Sequence, residues 1–129
     1  MRDYSIKEFR DRIDEKLQEI GYPLIEDHPT IENKEEEIVQ LQTPLKSVNK
    51  TQNAFPLLST FQVSIICWSV MQHKCMEMTG EVDQKLQEYN MTRTITSPAM
   101  YDSTIQKYGI TTTYEVRYNA LMDSFDFIK

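Results

Sequence analysis

Cys75 is the residue best suited by type to covalent chemistry, and His73 stands two positions before it. A cysteine nucleophile needs a base within hydrogen-bond reach to keep it as thiolate. Residues two apart on a helix point to different sides, so a helical setting keeps these two from forming a dyad. Cys67, the other cysteine, does not complete a disulfide framework with it, and both read as buried free thiols. Glu26-Asp-His28 adds metal-ligand types, but neither a Cys-x-x-Cys nor a His-Glu-x-x-His spacing joins it to His73 and Cys75. Glu35-Glu-Glu37 offers adjacent carboxylates, and a charge run of this kind in a loop reads as solvated surface. Gly21, Gly80 and Gly109 stand alone, so no glycine-rich phosphate loop is written here. The expectation is a non-enzymatic domain, with no catalytic residue, cofactor or metal assigned.

The elements that position these residues centre on Leu57–Asn90. Phe61, Val63, Ile65 and Cys67 alternate onto one face of a predicted strand, with Gln62 and Ser64 opposite. From Ile66 through Trp68 and Val70 the second face turns apolar too, and the helix that follows is expected to cover it. In that helix, Met71, Cys75, Met78, Val82, Leu86 and Tyr89 recur at three or four residues and form one stripe.

The first helix is written most clearly. Ser5-Ile-Lys-Glu8 has the form of a capping box, Ile6, Phe9, Ile13, Leu17 and Ile20 make the apolar stripe, and Gly21 with Pro23 ends it. The spacing predicts a helix over 6–20. Leu24-Ile-Glu26 and Ile38–Gln42 read as short strands. Met91–Ser97 is threonine-rich and β-prone, Ala99–Lys107 reads as irregular, and Ile110–Leu121 as a long alternating final strand. Thr43–Phe55 is polar and flanked by Pro44 and Pro56; it reads as a projecting loop or partner-binding arm, because long structureless connections in small domains are usually functional or disordered. The fold class that follows is a single α+β domain over 1–129: a mostly antiparallel, four- to five-stranded sheet packed against two helices, with that long polar loop.

Composition narrows the partners. Acidic residues outnumber basic ones to leave a net charge of −6, which argues against general nucleic-acid binding. No apolar run of about 18 residues is present to cross a membrane. The N-terminus runs straight into an amphipathic segment without the apolar core of a signal peptide, and the expected compartment is the cytosol.

The order of elements resembles the tail terminator (tail completion) proteins of long-tailed bacteriophages. The likeness rests on the amphipathic helix ending at Gly21-Tyr-Pro and on the polar hairpin region before the central strand. It rests also on Phe61-Gln-Val-Ser-Ile-Ile-Cys-Trp followed by a helix ending Val82-Asp-Gln-Lys-Leu86, and on the closing strand Ile110-Thr-Thr-Thr-Tyr-Glu-Val-Arg-Tyr118. It spans nearly the whole chain as an order of elements with weak patterns. The resemblance implies a structural virion protein that caps the tail tube as a ring, ends tail elongation and joins the tail to the capsid connector. It implies a homo-hexamer, formed in free solution or only on assembly, with the major tail tube protein and a head-side connector protein as partners. DNA would pass through without specific binding, the place of work being the virion tail and, during assembly, the host cytoplasm. Under this reading Lys46, Ser47, Val48, Asn49, Lys50, Phe55, Phe125 and Phe127 are the candidate subunit or partner interface. Glu35, Glu36 and Glu37 are candidates for an acidic lumen. Alternatives are another phage head–tail connector, such as a head-closure or adaptor protein, and a small cytosolic protein-interaction module.

Overall fold

A computed structural model describes residues 2–126. In chain order its elements are α1 (Ile6–Gln18), β1 (Leu24–Ile25), β2 (Glu37–Leu41), β3 (Leu45–Gln52), β4 (Phe55–Ser69), α2 (Gln72–Gln87), β5 (Thr92–Thr96), β6 (Met100–Asp102), β7 (Lys107–Asn119) and β8 (Ser124–Asp126).

The capping box that opens α1 is formed. The Glu8 amide donates to Ser5 Oγ at 3.0 Å, and the Ser5 amide donates to Glu8 Oε1 at 3.2 Å. The helix stops at Gln18, two residues short of the predicted Ile20. The Ile20 and Gly21 amides turn back to the carbonyls of Leu17 and Gln18, and Gly21 adopts φ +99°, a conformation costly for any residue with a Cβ.

Two long antiparallel strands, β4 and β7, form the spine of the sheet, paired from Leu58↔Asn119 to Ser69↔Tyr108. β3 and β2 lie end to end along the free side of β4, and β1 adds a parallel pair outside β2. β8, β5 and β6 line up in the same way along the free side of β7. The described residues therefore hold two helices and one eight-stranded mixed sheet. The α+β class stands; the sheet has more strands than the four or five predicted, and one of its pairs is parallel.

Both helices pack on one face. Phe61, Val63, Ile65 and Cys67 of β4 meet Tyr114, Val116 and Tyr118 of β7, with Phe9, Ile13 and Leu17 of α1 and Met78, Val82 and Leu86 of α2. The predicted cover for Ile66 and Trp68 is thus corrected: α2 lies on the Cys67 side, where the Cys75 thiol donates to the Cys67 carbonyl at 3.5 Å. Ile66 and Trp68 instead join Ile38 and Ile105, with Ile25 against them, in a smaller cluster on the opposite face. Trp68 is fixed there by its Nε1–H bond to Gln40 Oε1 at 3.1 Å. It lies so close to Gly109 that a Cβ at that position would sit 2.6 Å from Trp68 Cζ3, which requires a glycine.

The segment Thr43–Phe55 is corrected most. It is not a loop: β3 runs through it and pairs with the first half of β4, from Leu45↔Gln62 to Gln52↔Phe55. β4 itself begins at Phe55, six residues before the predicted start, and so supplies a template for a polar partner strand that has no apolar alternation of its own. The turn is Asn53-Ala54, with φ of 53° and 66°. Two consecutive residues with positive φ give the primed turn that suits the twist of a two-residue hairpin. The predicted irregular stretch Ala99–Lys107 likewise contains β6, and the final strand covers Lys107–Asn119 instead of Ile110–Leu121.

Candidate assembly surface

The β3–β4 hairpin gathers most of the residues expected at an interface, and the structure divides them by the direction in which each points. Lys46 stands opposite Phe61 and turns to the helix face, where its ammonium donates to the Tyr4 carbonyl at 2.9 Å and pairs with Asp3. It therefore ties the N-terminal segment to the hairpin. Ser47 and Val48 remain accessible along the strand. Asn49 sits at a β-bulge between Val48 and Lys50, and its side-chain oxygen accepts from Thr60 Oγ1 at 2.7 Å. Lys50, beyond the bulge, is exposed.

Phe55 and Phe125 serve the core. Phe55 is half-buried against the main cluster. Phe125 belongs to an aromatic group with Tyr4, Phe9, Phe61 and Tyr118, at centroid distances of 5.0 Å to both tyrosines. Its carbonyl accepts from Asn90 Nδ2 at 2.7 Å. Phe127 lies outside the described residues.

Glu35, Glu36 and Glu37 lie at the other end of the sheet. The Glu36 carbonyl accepts from Val70 and Glu37 pairs with Ser69, whereas the hairpin turn follows Gln52↔Phe55. The 15 residues of β4 separate these ends by about 45 Å at an extended-strand rise. The acidic run and the hairpin tip thus form two different surfaces. Glu35 and Glu36 are exposed, and Glu37 is partly covered.

The residues with chemical potential are dispersed. Cys67 and Cys75 are buried free thiols, and loss of solvation pushes them up to about 12 and about 11. Cys75 is further occupied as a donor to the Tyr108 carbonyl at 3.1 Å, while His73 is exposed. His28 approaches Asp102 at 3.6 Å and meets the edge of Trp68. The Asp102 carboxylate is held below its usual range, first by the hydroxyl and amide of Thr104. No group of three His, Cys, Asp or Glu residues suited to a metal ion occurs among the described residues. Beside Trp68, an open groove of about 400 Å³ lies over β4, β6 and β7, lined by Ile66, Met100, Tyr101 and Gly109 among others. No helix among the described residues is long and apolar enough to cross a membrane.

Sequence reasoning missed two exposed apolar residues on opposite flanks of the sheet, Leu45 in β3 and Ile95 in β5, at 62% and 68% exposure. Neither carries a motif. Only the ladder, which places both on the face without helices, makes them noticeable. No protein-family model matches this chain, and no curated protein matches it. What the fold defines is a small α+β domain with a one-sided helical layer and two unlike exposed sheet edges.

Proposed function

We propose that this chain is a non-enzymatic structural protein of the tail-terminator type: a ring subunit that caps a phage tail tube and joins it to the head connector. The observation that carries the reading is the outer edge of β3, one strand of eight residues exposed along nearly its whole length, whereas the other flank is made of the three short strands β8, β5 and β6. A ring needs two different patches on each subunit, since only heterologous contacts close by rotation into a cycle of many members. An exposed edge strand is a template on which another chain can pair. The order of elements, with a leading helix, a β3–β4 hairpin, a second helix and a long closing strand, also agrees with the resemblance read in the sequence.

Glu35 and Glu36 are candidates for the wall of the passage, where negative charge would repel the DNA backbone and let it slide. A phage lacking this protein should make filled heads without tails and tubes of uncontrolled length. Normal tails in its absence would refute the reading. Reversing Glu35 and Glu36 to lysine should leave folding intact and impair DNA passage, measured as phage yield; an unchanged yield would remove them from the passage.

A further inference from the structure

The two flanks of the sheet match one another. Each of the steps β3–β4, β4–β7 and β7–β5 is antiparallel, so β3 and β5 run in opposite directions on opposite flanks. A neighbouring copy brought up by rotation, without being turned over, therefore sets its β5 edge antiparallel to this copy's β3 edge.

The registers give the match detail. Leu45 stands level with Gln62 of β4, and Lys50 with Leu58. On the far flank, Ile95 stands level with Thr113 and through it with Ser64; Asp126 stands level with Arg117 and through it with Thr60. Each far-flank residue thus lies two β4 positions beyond its counterpart, Ser64 against Gln62 and Thr60 against Leu58. All four β4 positions alternate with Phe61 and Val63, so all four residues lie toward the face without helices.

From this we infer that the second occupant of the β3 edge is another copy of this chain, presenting its β5 and β8 edge with a stagger of two residues. That one stagger sets Leu45 against Ile95 and Lys50 against Asp126 together. Charge favours this pairing over the alternative two-fold pairing of β3 with β3. With Lys46 already paired to Asp3, the charge left on β3 is Lys50, and the strand carries no acidic residue to meet it, so two such strands side by side gain no charge pair and bring like charges together. The opposite flank offers Asp126, with Asp123 just before β8, while Arg93 of β5 already faces Asp83 at 3.9 Å. Bulges beside Asn49 and between Arg93 and Ile95 interrupt both edges. Asn90 also covers the Phe125 carbonyl. The contact is therefore made by side chains across the open face and not by one unbroken ladder.

This inference rests on the ring reading, and disulfide trapping separates the two. The double variant Leu45→Cys/Ile95→Cys, oxidised mildly in concentrated solution, should give a ladder of linked multimers. It should form about tenfold faster than a Leu45→Cys/Gln18→Cys control, because docking raises the local concentration of the paired thiols. The native thiols are buried and contribute nothing. Crosslinking no faster than the control overturns the contact, as does ready dimer formation by Leu45→Cys alone, which would mark a two-fold pairing. In parallel, Lys50→Glu and Asp126→Lys should each weaken self-association about tenfold. An equal mixture of the two should restore it, because each charge then meets its opposite in alternating copies; failure of the mixture overturns the charge pair. A Leu45→Cys/Ile95→Cys protein that forms rings but does not crosslink rejects the contact and keeps the ring. Linked chains that never close into rings keep the contact and reject the ring.

Discussion

The two faces of β4 differ in kind. Toward the helices, Phe61 is fully buried between Phe9, Tyr4 and Phe125, with Phe9 stacked on it at 4.5 Å. Toward the other side, Gln62 and Ser64 share a surface with Thr113, Glu115, Leu45 and Ile95, and only the Trp68 end is covered. The first face is where folding energy is concentrated. The second, with its edges, contributes little to folding and is left for contact. A period of two residues in one strand keeps the roles apart, so changes on one face should unfold the protein and changes on the other should alter what it meets.

Truncation on the helix face gives the sharpest break. Phe61→Ala should cost about 3–5 kcal/mol in urea unfolding, within the usual range for a buried aromatic, whereas Ile95→Ala should stay within about 0.5 kcal/mol. Equal losses would erase the distinction between the faces. Alkali probes the same side next. The Cys67 and Cys75 thiols titrate at about 12 and about 11 when folded, against 9.0 for an ordinary thiol. Raised values mean that the folded state prefers the protonated form. Their contribution is therefore complete below pH 9 and is lost as pH climbs toward 12. Thiol reagents at pH 8 should leave both untouched until the chain unfolds, and rapid labelling of the native protein would contradict their burial.

Gly109→Ala tests the covered end of the second face. With Trp68 directly in the way, the loss should be about 1–3 kcal/mol, accompanied by a shift in tryptophan emission. An unperturbed spectrum and stability would mean that the indole does not rest on Gly109. Smaller still is the contrast between the two hairpin lysines. Lys46→Ala should lose about 1 kcal/mol with its bonds to Tyr4 and Asp3, while Lys50→Ala should leave stability unchanged within about 0.5 kcal/mol. At the tip, Ala54→Gly should gain about 0.5–1 kcal/mol by relieving a left-handed residue. A lower melting temperature would mean that the turn is not of the primed type.

Much of the first face could be read from the residues alone. Ser5 with Glu8, the stripe from Phe9 to Leu17 and the alternation from Phe61 to Cys67 are local signals, and tertiary packing agrees with them. Thr43–Phe55 could not be read in this way. Its polarity suits an edge, its pairing is imposed by β4, and Asn53-Ala54 lacks the glycine that usually announces a hairpin. The cover over Trp68 is not legible in the residues, because periodicity tells which residues are buried and not what buries them. Helix α2 lies on the Cys67 side, after a turn in which the Met71 N–H bonds back to Ser69 Oγ. Of the proposed interface, Lys50 was visible as a charge. Its counterpart Asp126 and the pair Leu45 and Ile95 acquire meaning only through the register.

Ring formation is the central claim, and its most direct test is the mass of the purified protein over a concentration series with negative-stain imaging, alone and with tail tubes. A cyclic assembly with a central hole is expected, either free in solution or seated at tube ends. A closed dimer without a hole, or a monomer that tube ends never capture, would contradict it.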